Sequence, residues 1–242
     1  APKGQLITQW GSFGTNPGQF KDSNALTVSP EGDRVYVAEQ MNNRIQVFNQ
    51  TRHDVGKAII VAGSGPYAQE GDRVTLNSLW DDIQMLANFA YRALVHQGFT
   101  PNTIYYLSGA TTLDLDNNGQ ADDVDAIPTL ENLAYAITEW AGDADNLTIY
   151  MVDYGLDQAL NLNEDETLTA VDLNHWLDIW QSQTQGHLKL VYDACHSGSF
   201  VPLLAGPNRI VITSAAADGL AYFDDKGSLS FSSYFWTNVF HG

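Results

Sequence analysis

Residues 188–200 read Leu-Lys-Leu-Val-Tyr-Asp-Ala-Cys-His-Ser-Gly-Ser-Phe. Leu188–Tyr192 predicts a strand, and the chain then turns at once through an acid, a thiol and a glycine. Cys195 is the one cysteine of the chain, which excludes an internal disulfide and a cysteine-rich zinc site. A lone cysteine is by default an inert, buried small residue, so its surroundings have to argue for chemistry.

Strands and helices alternate on either side of this stretch. Lys57–Ala62 is a near-continuous apolar run that ends in Gly63-Ser64-Gly65-Pro66, the pattern of a strand covered on both faces. Ile83, Leu86, Ala87, Ala90 and Leu94 recur at helical spacing and predict a helix over 77–97, stopped by Gly98. Thr103–Leu107 reads as the second strand. Pro128 opens a second helix with Leu130, Leu133, Ala134 and Ile137 on one face, and Leu147–Val152 is the third strand. Thr169-Ala170-Val171-Asp172 caps a third helix striped by Leu173, Trp176, Leu177 and Trp180. Leu188–Tyr192 is then the fourth strand, Arg209–Thr213 the fifth, and Ser228–Phe240 the last helix. This rhythm predicts a doubly wound α/β domain, a mostly parallel sheet flanked by helices. In such sheets ligands bind at the carboxyl ends of the strands.

Two segments fall at that rim: Asp153-Tyr154-Gly155 after the third strand, and Asp193-Ala194-Cys195-His196-Ser197-Gly198-Ser199-Phe200 after the fourth. Gly155 can present a bare backbone N–H, and with the N–H of Cys195 it makes an oxyanion hole. A nucleophile with donors beside it suits acyl transfer. What the rim lacks is a base. A neighbouring imidazole normally activates a thiol, and a phenol, which keeps its proton to about pH 10, cannot take that part. His196 is next in sequence to Cys195 and is expected to point away from it. His175 lies on the third helix, His187 at the opposite edge of the sheet, and His53, His96 and His241 outside the rim segments.

Ile59-Ile60-Val61-Ala62-Gly63-Ser64, Ala90-Tyr91-Arg92, Asp153-Tyr154-Gly155 and Asp193-Ala194-Cys195-His196-Ser197-Gly198-Ser199 together resemble the legumain family of cysteine peptidases, over residues 57–242. The resemblance implies a caspase-like fold, with Cys195 as nucleophile and Gly155 as oxyanion glycine. It also implies a peptide or protein substrate, cleaved often after Asn or Asp, with no cofactor for catalysis. The family keeps its catalytic histidine in an Asp-His-Gly motif, and that position is Tyr154 here. Two readings follow: a cysteine endopeptidase without its base, or a catalytically impaired homologue that binds peptides or partners. The substrate-binding positions implied are Asp82, where the family has a basic pocket residue, and Ser214.

Residues 1–52 read differently. Ala25–Val28, Val35–Ala38 and Arg44–Phe48 are three short strands separated by the turns Pro30-Glu31-Gly32-Asp33 and Asn42-Asn43. Pro17-Gly18-Gln19-Phe20, Val35-Tyr36-Val37-Ala38 and Asn43-Arg44-Ile45-Gln46-Val47-Phe48 resemble an NHL repeat. That resemblance implies one propeller blade of a protein-binding kind, and further blades before residue 1. The domains expected are therefore 1–52 and 57–242. The opening residues APKGQLITQW lack the apolar core of a signal peptide. The expected setting is an extracellular or cell-envelope multidomain protein of bacterial type.

Net charge is −18, and its distribution marks the same boundary. Residues 1–56 hold five Lys/Arg and five Asp/Glu, which leaves 6 of the 11 cations and 24 of the 29 acids in 57–242. Such a surface repels phosphate backbones and excludes nucleic acid as the natural partner. No apolar run approaches the roughly 20 residues of a membrane span.

Some of the acids fall in a pattern. Asp114, Asp116, Asn118, Gln120, Asp122 and Asp125 occupy positions 1, 3, 5, 7, 9 and 12 of an EF-hand-type loop, with Gly119 at position 6. The spacing predicts a structural calcium ion in a loop that follows a strand rather than a helix. A second acidic stretch, Asn161-Leu162-Asn163-Glu164-Asp165-Glu166, lacks the glycine and reads as a hairpin turn beside the rim.

Overall fold

A computed structural model of the chain describes residues 11–29, 34–49, 55–70 and 73–241. The chain divides into two compact units, Ala1–His53 and Asp54–Gly242. The opening decapeptide, the turn at 30–33 and His53 lie outside the described residues.

In the first unit β1 (Ser12–Phe13) pairs with β2 (Gln19–Phe20). An antiparallel meander follows: β3 (Ser23–Val28), β4 (Arg34–Glu39) and β5 (Arg44–Asn49). One buried acid ties these pieces together. Glu39 accepts hydrogen bonds from the Lys21 N–H, Asn42, Arg44 and Gln46. Burial alone would raise its carboxyl, but the four donors outweigh it and hold the group at about 2. Arg44 gives its remaining N–H groups to the carbonyls of Thr15, Asn16 and Gln19, which fixes the 12–20 segment against the meander.

The second unit opens with β6 (Lys57–Ala62) and the hairpin β7 (Tyr67–Glu70) and β8 (Arg73–Leu76). Helix α1 (Trp80–His96) and β9 (Ile104–Leu107) come next. Helix α2 (Leu130–Tyr135), capped by Thr129, runs on as a π-helical stretch over Ala136–Trp140. After β10 (Asn146–Val152) come three short strands, β11 (Gly155–Leu156), β12 (Ala159–Asn161) and β13 (Thr167–Thr169). The chain closes with α3 (Ala170–Thr184), β14 (His187–Asp193), α4 (Val201–Leu204), β15 (Arg209–Thr213) and α5 (Phe231–His241).

The central sheet has five parallel strands in the order β15-β14-β10-β6-β9. Successive side chains of β6 serve opposite cores, because the side-chain period of a strand is two. Ile59 and Val61 pack with Ile149, Met151 and Leu190 under Leu173, Leu177 and Trp180 of α3. Ala58, Ile60 and Ala62 pack with Tyr150 and Val152 under α1 and Trp236 of α5. This is the mostly parallel α/β sheet flanked by helices that the alternating pattern predicts, and it is consistent with the caspase-like fold that the resemblance implies; a small antiparallel meander precedes it in the chain.

Two stretches depart from the sequence reading. The last helix begins at Phe231 rather than Ser228. The residues before it form a tight turn, with Asp224 bridged to Leu229 and Asp225, Lys226 and Gly227 at positive φ. The strands of the hairpins at 67–76 and 155–169, two to four residues long, are too short to show a period, so the sequence marks only the turn at 161–166.

Candidate active site

The carboxyl ends of β6, β10 and β14 lie side by side, with Ala62 opposite Val152 and Val152 opposite Asp193. The rim segments therefore meet. A Cβ built on Gly155 would stand 2.0 Å from the Cys195 carbonyl oxygen and 2.8 Å from the Ala194 side chain. Only glycine allows that approach, which places the backbone of β11 directly on the nucleophile loop. The bond from the Asn161 N–H to the Tyr154 carbonyl makes Gly155 and Leu160 a non-hydrogen-bonded pair, so the Gly155 N–H points away from β12.

Cys195 is half-buried, and its Sγ accepts from the Ala221 N–H at 3.4 Å. The segment after β15 wraps the nucleophile loop closely. His196, at φ 57°, gives its N–H to the Gly219 carbonyl, and its Nδ1 lies 3.0 Å from the Ala217 oxygen. Gly198 N–H donates to the Ala215 carbonyl, and Ser197 Oγ accepts from the Ala215 N–H. His196 is thus held by backbone. His175 sits on α3, His187 is the first residue of β14, and His96 stacks on Phe240. Tyr154, at the position of the family histidine, is 40% exposed.

Behind the rim lies Asp153, 1% exposed. Ser64 at the end of β6 donates to its Oδ2, and its Oδ1 has no hydrogen-bond partner. Burial pushes this carboxyl up to about 7, against the opposing hydrogen bonds from Ser64 and the Tyr154 N–H. A cleft of ≈ 540 Å³ opens on the same rim between Ser64–Pro66, Pro128 and Asn163–Glu166. The acidic stretch 161–166 forms the β12–β13 turn on its wall, with Glu166 accepting from the Leu130 N–H and Asn163.

The structure gives the two substrate-binding candidates other surroundings. Ser214 Oγ accepts from the Ala194 N–H at 3.1 Å, so the hydroxyl is engaged by the nucleophile loop. Asp82 lies in the first turn of α1, 3.3 Å from where a Gly227 Cβ would stand. Its carboxyl is raised by burial and by Asp81, with Lys226 opposing. The contacts of Cys195 run to Gly155 and Ala221, not to Asp82.

The acidic loop closes differently from its template. Asp114, Asp116 and Asp123 bring carboxylate oxygens within 4.8 Å of one another. Asn118 Oδ1 accepts from the Gln120 N–H, Gly119 takes φ 85°, and Asp122 is exposed. Asp125, assigned to position 12, stands outside the cluster. It has joined the edge strand β9, where its carboxylate accepts from the Tyr106 N–H at 2.7 Å and its own N–H bonds the Tyr106 carbonyl. An open edge N–H outcompetes the loop for that carboxylate. Asp123, 6% exposed, accepts from Tyr91 and from the Leu115 and Asp116 N–H groups. Its role has no sequence signature, since position 10 is free in the template.

The parallel α/β unit thus holds its one thiol between a glycine backbone and a backbone N–H at the strand ends. In comparison with known families, residues 138–235 match the model of the Peptidase C13 family, the legumain family. The match covers 98 of 242 residues (138 to 235 inclusive), from the π-helical stretch through β10, α3, β14 and β15 into α5. That segment is legumain-like cysteine peptidase sequence. No curated protein matches the chain. No helix among the described residues is long and apolar enough to cross a membrane.

Proposed function

We propose that the second unit is a cysteine endopeptidase domain in which Cys195 is the nucleophile and the N–H groups of Gly155 and Cys195 hold the oxyanion. The observation that carries this is the seating of Gly155 on the Cys195 backbone at the strand ends, inside the family-matched segment. Sulfur attacks the scissile carbonyl carbon, and the oxyanion collapses with loss of the amine. Water then hydrolyses the thioester and returns the thiol. With a phenol at position 154, the thiol proton leaves to solvent and the amine takes its proton from solvent. A positioned imidazole would carry both transfers, a contribution of roughly 10²–10⁴ in rate. The domain is therefore a slow peptidase. The exposed Tyr154 also supports a second reading, an impaired homologue that binds peptides at the rim.

In the same reading the loop 114–125 takes a structural calcium ion, supported by its oxygen spacing and its three converging carboxylates. The meander, with Leu26, Met41, Ile45 and Val47 exposed, is an NHL-type blade that binds protein.

The test uses fluorogenic peptides with Asn or Asp before the scissile bond. Slow cleavage that disappears in Cys195→Ala supports the enzyme. Cleavage that survives Cys195→Ala refutes the assignment, and binding without cleavage by the wild-type chain selects the homologue.

A further inference from the structure

The segment between β15 and α5, residues 214–230, covers the thiol and is regular at neither end. It is fastened at three points. At its start, Ser214 Oγ accepts from the Ala194 N–H, one residue before Cys195. In its middle, Gly219 and Ala221 bond His196 and Cys195. At its end stands Ser232, in the first turn of α5, and here the partner is a side chain. Asp193 Oδ2 accepts from the Ser232 N–H at 3.1 Å and from Ser232 Oγ at 2.6 Å. Ser232 Oγ in turn accepts from the buried Tyr150 hydroxyl of β10 at 2.7 Å.

Asp193 and Ser232 are both 0% exposed. Burial raises the Asp193 carboxyl, and Ser232 and Ser214 oppose that. Asp193 Oδ1 has no hydrogen-bond partner. A single buried carboxylate two residues before the thiol therefore holds the start of the helix that follows the segment. A carboxylate capping a helix N–H is a strong, charge-assisted contact, and here it crosses from the sheet to the helix.

We infer that Asp193 is a positioning residue of the thiol site: through Ser232 it clamps the start of α5 to the end of β14 and so holds the 214–230 segment over Cys195. Its bearing on turnover rests on the peptidase reading; its bearing on the segment does not.

The full chain and the variants Asp193→Ala, Asp193→Asn and Ser232→Ala are compared by two measurements that need no turnover. One is native-state hydrogen exchange of the 214–230 amides against those of β10 and β14. The other is labelling of the lone thiol by a bulky polymer-linked maleimide, whose rate follows access. Loss of the clamp should speed both by about tenfold, the worth of one charge-assisted hydrogen bond, while the strand amides keep their protection. Asp193→Asn, whose amide oxygen still accepts from Ser232 but without the charge, should fall between wild type and Asp193→Ala. If Asp193→Ala fails to fold, Ser232→Ala decides. The inference is overturned if Ser232→Ala leaves exchange and labelling unchanged, or if Asp193→Asn is as fast as the variants that lose the clamp. A chain inert toward every peptide would sink the enzyme reading and leave these results standing.

Discussion

Ser64 Oγ donates a 2.5 Å hydrogen bond to Asp153 Oδ2, tying the end of β6 to the residue that leads β10 into the rim. That bond satisfies one oxygen of a carboxyl whose other oxygen has no partner, and burial wins: the group is pushed from 3.8 up to about 7. Folded protein therefore holds this proton where unfolded chain has lost it. The stability it contributes is full below about pH 4 and is lost as pH rises through 7. At about 1.4 kcal/mol per unit, and with the folded group half deprotonated by pH 7, the loss between pH 5 and 7 is about 2 kcal/mol. Urea unfolding across that range should show the decline in the wild type and a flatter profile in Asp153→Asn. Parallel profiles for the two proteins would remove Asp153 as the cause.

Gly155 should tolerate no side chain. A Cβ there would lie 2.0 Å from the Cys195 carbonyl, and the Cys195 backbone and Ala194 Cβ that it would meet leave nothing flexible to yield. Gly155→Ala should cost about 1–3 kcal/mol, as other overpacked sites do. It should also displace the nucleophile loop. A Tm unchanged from wild type, together with unchanged Cys195 labelling, would show that the two segments are not in contact.

How far the sequence foretold this site depends on what kind of signal each residue leaves. β6, α1, β14 and β15 announce themselves, because a buried strand or amphipathic helix repeats its apolar residues at a fixed period. Cys195, Tyr154 and Gly155 could be placed on one rim because strand ends in a parallel sheet share an edge. Ser232 and Ser64 leave no such trace. Ser64 acts through one hydrogen bond to a residue 89 positions away and Ser232 through two to a residue 39 positions away, and neither distance is a period of anything. Asp125 shows the opposite hazard. Its spacing fits a metal loop, but an unpaired N–H on edge strand β9 claims its carboxylate, and strand order is not written locally. Ser214 lies beside the nucleophile loop, and its hydroxyl is engaged by the Ala194 N–H, a contact with no local sequence pattern.

Tyr154→His restores an imidazole at the position where the resemblance expects one. The site is half open, with Tyr154 40% exposed, so the smaller ring can be accommodated without repacking the core. The variant should cleave Asn- or Asp-containing peptides faster by about 10², the lower end of what a positioned base supplies. Tyr154→Phe should match the wild type, since the phenol carries no proton in the proposed cycle. A histidine variant no faster than the phenylalanine variant would mean that position 154 does not face the thiol.

Calcium should act on stability before it acts on rate. The three converging carboxylates of Asp114, Asp116 and Asp123 repel one another when no cation is bound, and the loop leads from β9 toward α2 rather than to Cys195. Calcium at 100 times its Kd should raise unfolding free energy by about 2.7 kcal/mol, with peptide cleavage little changed at temperatures well below Tm. Asp116→Ala should abolish the gain. Asp125→Asn should retain most of it, because that carboxylate serves the Tyr106 N–H instead of the cluster. Titration calorimetry on chelator-treated protein checks the binding directly. No heat on calcium addition, or an equal loss of affinity in Asp125→Asn and Asp116→Ala, would show that the loop is a solvated turn or that position 12 ligates after all.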